Sequence, residues 1–120
     1  NLAWALECTR SEKHQAPCVR GYVVVKWENN ACYDRYLLLR RPGEESAHVI
    51  PLEDQYSAGA EYGMQEQPNV ALCGFQVVLR QGIVPEGSYE IGLQARSRIG
   101  RRRLTKWTEE ELLTGGKCDA

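Results

Sequence analysis

The sequence is poor in the residues that carry most catalytic and metal chemistry. Its 120 residues include two histidines, His14 and His48, one methionine and one phenylalanine. No two of its five cysteines, Cys8, Cys18, Cys32, Cys73 and Cys118, stand at Cys-x-x-Cys spacing, so a zinc knuckle has no half-site. The Gly/Ser pattern of a nucleophile elbow is missing, and so is a phosphate-cradling glycine loop. Runs of branched aliphatic residues reach only three, as in Val23-Val24-Val25 and Leu37-Leu38-Leu39, too few to cross a bilayer. A net charge of −1 argues against a dedicated nucleic-acid binder, which would be strongly basic. No helical stripe of eleven residues or more is present. The chain opens without Met and without a signal-peptide pattern, so it reads as a piece of a longer protein.

What is present is alternation. Between residues 74 and 80, Phe75, Val77 and Leu79 share one face and Gln76 and Arg80 the other. Between 88 and 98, Tyr89, Ile91, Leu93 and Ala95 alternate with Glu90, Gln94, Arg96 and Arg98, a long strand with one wet face. Further strands are expected at 3–9, 19–27, 36–41, 48–52 and 102–107. Trp27 falls on the core face with Val23 and Val25. Pro51 suits an edge strand. Turn chemistry separates the strands: Glu28-Asn29-Asn30-Ala31, Pro42-Gly43, Pro85-Glu86-Gly87 and Arg98-Ile99-Gly100-Arg101. Residues 53–62 and 109–113 have room for a helical turn or two each.

About seven short strands with such turns predict an all-β, immunoglobulin-like antiparallel β-sandwich, one domain over 1–113 with a tail at 114–120. The strands at 3–9, 19–27 and 74–80 should form one sheet, and those at 36–41, 88–98 and 102–107 the other. Tyr89, opening a strand after Pro-Glu-Gly-Ser, stands where a tyrosine corner would, or is a plain core tyrosine.

Candidate chemistry is basic and aromatic. Arg96, Arg98, Arg101, Arg102, Arg103 and Lys106 fall within eleven residues, and Arg40 and Arg41 end a strand of the same sheet. One reading is a patch that grips phosphate or carboxylate through paired N–H groups. The other is a solvated edge kept from aggregating by charge, balanced by Glu109, Glu110 and Glu111. Trp107, near a strand end, and Trp4, near the start, are candidates for contact with a partner. Cys8, His14 and Cys18 match no familiar zinc site. Cys18 and Cys73 start strands expected to be neighbours, so a bridge is conceivable. The alternative is five reduced, small hydrophobes of the cytoplasm, which the lack of an Asn-x-Ser/Thr acceptor suits. We expect no catalytic residue, cofactor or metal.

The order Arg20-Gly21-Tyr22-Val23, Tyr36-Leu37-Leu38-Leu39-Arg40, Tyr62-Gly63, Cys73-Gly74-Phe75-Gln76-Val77 and Gly87-Ser88-Tyr89-Glu90-Ile91-Gly92-Leu93 resembles a known module. It is similar to the β-sandwich accessory domain of bacterial glycosyltransferases and glycerophosphotransferases of cell-surface polysaccharide and teichoic-acid assembly. The resemblance covers roughly residues 5–113. It implies a non-catalytic, intracellular binding or docking module, partnered by a linked or associated transferase domain and by an anionic glycan. The residues expected to contact such a ligand or partner are those of the basic and aromatic cluster, Arg40, Arg96, Arg98, Arg101, Arg102, Arg103 and Trp107, to which a phosphate-bearing glycan would give a purpose. One departure stands out: Gln55-Tyr56-Ser57-Ala58 occupies the place of the family's Arg-x-Asp-Val-like stretch.

A second resemblance competes. The stretch from Tyr89 to Arg96, followed by Lys106-Trp107-Thr108, is similar to the last two strands of fibronectin-type and cytokine-receptor-like modules, where a Trp and arginines interleave. That would imply extracellular protein binding with paired cysteines.

Overall fold

A computed structural model describes residues 1–11, 13 and 15–114. It contains seven antiparallel strands in two sheets, as the alternation predicts. The strands are β1 (Leu2–Ser11), β2 (Ala16–Val25), β3 (Tyr33–Arg40), β4 (His48–Leu52), β5 (Gly74–Val78), β6 (Gly87–Ser97) and β7 (Arg103–Thr114). One sheet runs β1-β2-β5 and the other β4-β3-β6-β7. One short helix, α1 (Ala58–Gly63), starts at Ser57, whose hydroxyl accepts from the Ala60 N–H.

The core is the set of inward positions of both sheets. Val19, Val23, Phe75 and Leu79 from one side meet Leu37, Leu39, Tyr89, Ile91, Leu93 and Leu112 from the other. The apolar run at the end of β2 breaks alternation because both of its faces are covered. Val23 and Val25 face the sandwich interior, while Val24 lies with Ala3, Ala60, Val70 and Cys73 beneath α1. Tyr89 makes a tyrosine corner: its hydroxyl donates to Pro85 O at 2.6 Å, and Thr114 also donates to that oxygen.

Two glycines are required by close approach. A Cβ on Gly21 would stand 1.9 Å from Ala5 O, which bars any side chain at that point of β2. A Cβ on Gly92 would lie 2.8 Å from the indole of Trp107, so that ring rests flat on the backbone of β6.

Two expectations fail, and one bridge weighed from the sequence is not made. Trp27 is 74% exposed and lies outside β2, at φ +66°. The cause is Asn30, whose buried amide accepts from Val25 N–H and donates to Val25 O and Pro68 O. That side chain ends the strand at Val25, and Trp27 N–H turns to Gln67 instead. Residues 109–113 continue β7 rather than turning helically. A register shift opposite Glu90 and Gly92 lets Leu112 reach Tyr89, and the Thr108 hydroxyl donates to Ile91 O. The strands of Cys18 and Cys73 do pair, as expected, but the two cysteines stand at opposite ends of that pair and are free. Cys18 opposes Val78 at one end of the β2–β5 pair, whereas Cys73 lies beyond Gly74 at the other.

Candidate functional site

The outer face of the four-stranded sheet carries the arginines. Ser97 N–H donates to Arg102 O and Arg98 N–H to Cys32 O, both at 2.9 Å, so the β6–β7 hairpin is pinned to the start of β3. Beside it lies an open groove of about 520 Å³ lined by Asp34, Tyr36, Arg96, Ser97, Gly100, Arg101, Arg102 and Arg103.

The arginines expected to form a patch divide into two sets. Arg40 donates from Nε and Nη2 to Glu90 (3.0 and 2.8 Å) and lies 3.8 Å over the ring of Trp107. Trp107 is thereby sandwiched between Gly92 and a guanidinium. Arg98 is held by Asp34 at 2.8 Å, by Asp54 at 3.7 Å and by Ala31 O. Arg102 pairs with Glu28 at 2.9 Å. These three arginines are already neutralised within the fold.

Arg96, Arg101 and Arg103 are not. None of them forms a salt bridge among the described residues. Arg96 lies 4.2 Å over Tyr36 and donates from Nε to Gln94, which in turn donates to Thr105. That stacking orients its remaining N–H groups without neutralising its charge. Arg103 sits directly across the ladder from Arg96. Like charges opposite each other on one sheet face repel, so the pair is a cost to the fold that an anion between them would remove. Asp34, the acidic group on this groove, is taken by Arg98.

A contrasting arginine, not singled out by the sequence, lies on the inward face of β3. Arg35 is 4% exposed. It donates to Val23 O, Tyr33 O and Asn30 O, to Asp54 at 3.2 Å and to Cys73 Sγ at 2.9 Å. The alternation Tyr33, Arg35, Leu37, Leu39 places it inward, and that parity was the signal available.

Two of the thiols hold their protons more tightly than a free thiol does. Burial pushes the Cys73 thiol up, with Arg35 pulling the other way. Burial and Glu110 push Cys8 up. The four described cysteines are free. Cys8 faces Val19 and Cys18 faces Thr9, so alternation sends the two thiols to opposite faces of the sheet. His14, the third member of the zinc combination considered above, lies outside the described residues, as does Cys118. His48 stands edge-on to Tyr89 with ring centroids 5.8 Å apart. No group of three or more potential metal ligands occurs among the described residues, and no described helix is long and apolar enough to cross a membrane.

A second depression of about 490 Å³ lies on the outer face of the three-stranded sheet. It includes Gln55, Tyr56 and Ser57, the stretch that departs from the accessory-domain pattern. Its one arginine, Arg20, is paired with Glu7 at 2.7 Å, so it offers no free charge. Compared with known proteins, the chain matches no family model, no curated protein and no solved structure.

Proposed function

We propose that the chain is a binding module, without reacting groups of its own, that takes an anionic polymer in the groove beside the β6–β7 hairpin. The observation that carries this reading is the three uncompensated guanidinium groups, Arg96, Arg101 and Arg103, on one groove. Guanidinium forks suit phosphate, and hydrogen bonds to charged groups contribute about 1.5–3 kcal/mol each. The resemblance to accessory domains of envelope glycan transferases suggests the polymer: a phosphate-bearing polyol or sugar chain, presented to a linked or associated catalytic domain.

Titration with poly(glycerol phosphate) tests it. Saturable binding should weaken about tenfold or more for each of Arg101→Ala and Arg103→Ala. Arg102→Ala, which removes a group already engaged by Glu28, should weaken it far less. Affinity that survives the loss of both Arg101 and Arg103 refutes the reading.

A second reading has its own support. Arg40 on Trp107 and Arg96 on Tyr36 interleave cations with aromatic rings across β3, β6 and β7. That is the pattern for which the fibronectin-type and cytokine-receptor-like resemblance was drawn, with a protein as partner outside the cell. Thiol counting on the denatured, unreduced protein separates the two. Five free thiols favour the glycan module, and one favours the extracellular one.

A further inference from the structure

A sandwich of two open sheets has four edges, and here three of them are short, partly capped or charged. β4 is five residues long and contains Pro51. β5 is also five residues long, and its first residue, Gly74, exchanges backbone hydrogen bonds with Gln55 (3.0 and 2.9 Å). β7 carries Arg103, Lys106, Glu109, Glu110 and Glu111 and a register shift. β1 has none of these devices in its first half: Leu2, Ala3, Trp4, Ala5 and Leu6 include no charge and no proline.

The ladder fixes which of its backbone groups are open. Lys26 N–H donates to Asn1 O, and Val23 N–H donates to Cys73 O, each at 3.0 Å. Alternation along β1 and β2 then turns the N–H and C=O of Ala3, Ala5 and Glu7 toward β2, and those of Leu2, Trp4 and Leu6 away from it. β1 is the outer strand of its sheet and pairs with β2 alone, so the groups turned away have no ladder partner among the described residues. Alongside them runs a groove of about 420 Å³ between β1 and β7, floored by Leu2, Trp4 and Leu104 and flanked by Lys26 and Lys106. No carboxylate lines it.

We infer that β1 is a strand-addition edge for an extended polypeptide segment of a partner protein, one whose inward side chains include carboxylates. The open N–H and C=O groups supply main-chain pairing. Lys26 and Lys106 supply the charge preference. Ala3 is packed with Ala60 and Val70 beneath α1, so room for outward side chains of the added strand lies beside Ala5, which is small and only half-buried. This surface is separate from the arginine groove, and the inference does not rest on the glycan reading.

The test uses the full chain and a capped eight-residue peptide alternating valine and glutamate. Amide exchange, followed residue by residue, should slow at least tenfold at Trp4 and Leu6 when the peptide is added, while Ala3 and Ala5, bonded to β2 already, change little. The Lys26→Glu, Lys106→Glu double variant should bind this peptide at least tenfold more weakly and prefer one alternating valine and lysine. Absence of binding, or binding without protection at Trp4 and Leu6, overturns the inference. So does protection that appears on raising the protein concentration alone, which would assign the edge to a second copy of the chain.

Discussion

Arg35 and Arg103 sit in the same four-stranded sheet and differ in everything but their side chain. Arg35 points inward, is 4% exposed, and has an acceptor for every direction of its fork: three carbonyls, one carboxylate and one sulfur. Arg103 points outward across from Arg96 and has no carboxylate partner among the described residues. The first is an internal brace, because a buried charge persists in a fold only when fully satisfied. The second is unsatisfied in a place where water is the sole substitute for a ligand. Arginine content alone therefore says little here. The parity of each arginine on its strand decides whether it serves folding or binding.

The largest effect should come from breaking the brace. Arg35→Ala strips partners from the carbonyls of Val23, Tyr33 and Asn30 and leaves Asp54 with Arg98 alone. Asp54 is itself 41% exposed, so much of the loss comes from those carbonyls and the space left behind. Urea unfolding should show a destabilisation of about 3 kcal/mol, with affinity for poly(glycerol phosphate) unchanged in the fraction that remains folded.

A smaller effect is expected from alkali, acting on the same braced region. The Cys73 thiol is shifted upward by burial, and the Tyr33 hydroxyl by burial and by its hydrogen bond to Glu28. Both groups hold their protons more tightly folded than unfolded. Their contribution is complete below the unfolded-state values and is lost as pH rises through the folded ones. Stability should fall above about pH 9, the ordinary thiol range, and Cys73→Ala should make that fall shallower. A fall of equal slope in the variant would remove Cys73 from the account.

The smallest effect sharpens the other half of the comparison. Arg103→Ala should leave the free energy of unfolding unchanged or raise it slightly, by no more than about 0.5 kcal/mol, since the change relieves repulsion with Arg96. A clear destabilisation would give Arg103 a role in the fold and weaken its role in binding.

Local pattern predicted some of these features and not others, for physical reasons. The period-two stretches around Phe75 and Tyr89 gave the strands, their facing and the division into sheets, because each residue's environment there depends on its immediate neighbours. Trp27 was misplaced because the end of β2 is set by Asn30 and by Gln67, the latter forty residues away. Residues 109–113 had room for a helical turn because the partners that hold β7 extended, Tyr89 and Ile91, lie across a register shift that no local window contains. The basic cluster was visible, but its division into paired and unpaired arginines depended on Glu28, Asp34, Asp54 and Glu90, which converge only in the folded chain.

The two tryptophans just named also give the molecule a ready-made pair of optical probes. Trp27 stands in solvent on a turn, open to collisional quenchers. Trp107 is clamped between a glycine backbone and a guanidinium, out of their reach on one side and pressed against a cation on the other. Fluorescence from the first reports the turn that follows β2, beside Asn30 and Gln67. Emission from the second follows that clamp itself, so once the third tryptophan is removed (Trp4→Phe) one unlabelled sample can tell a loosening turn from a disturbed sheet face.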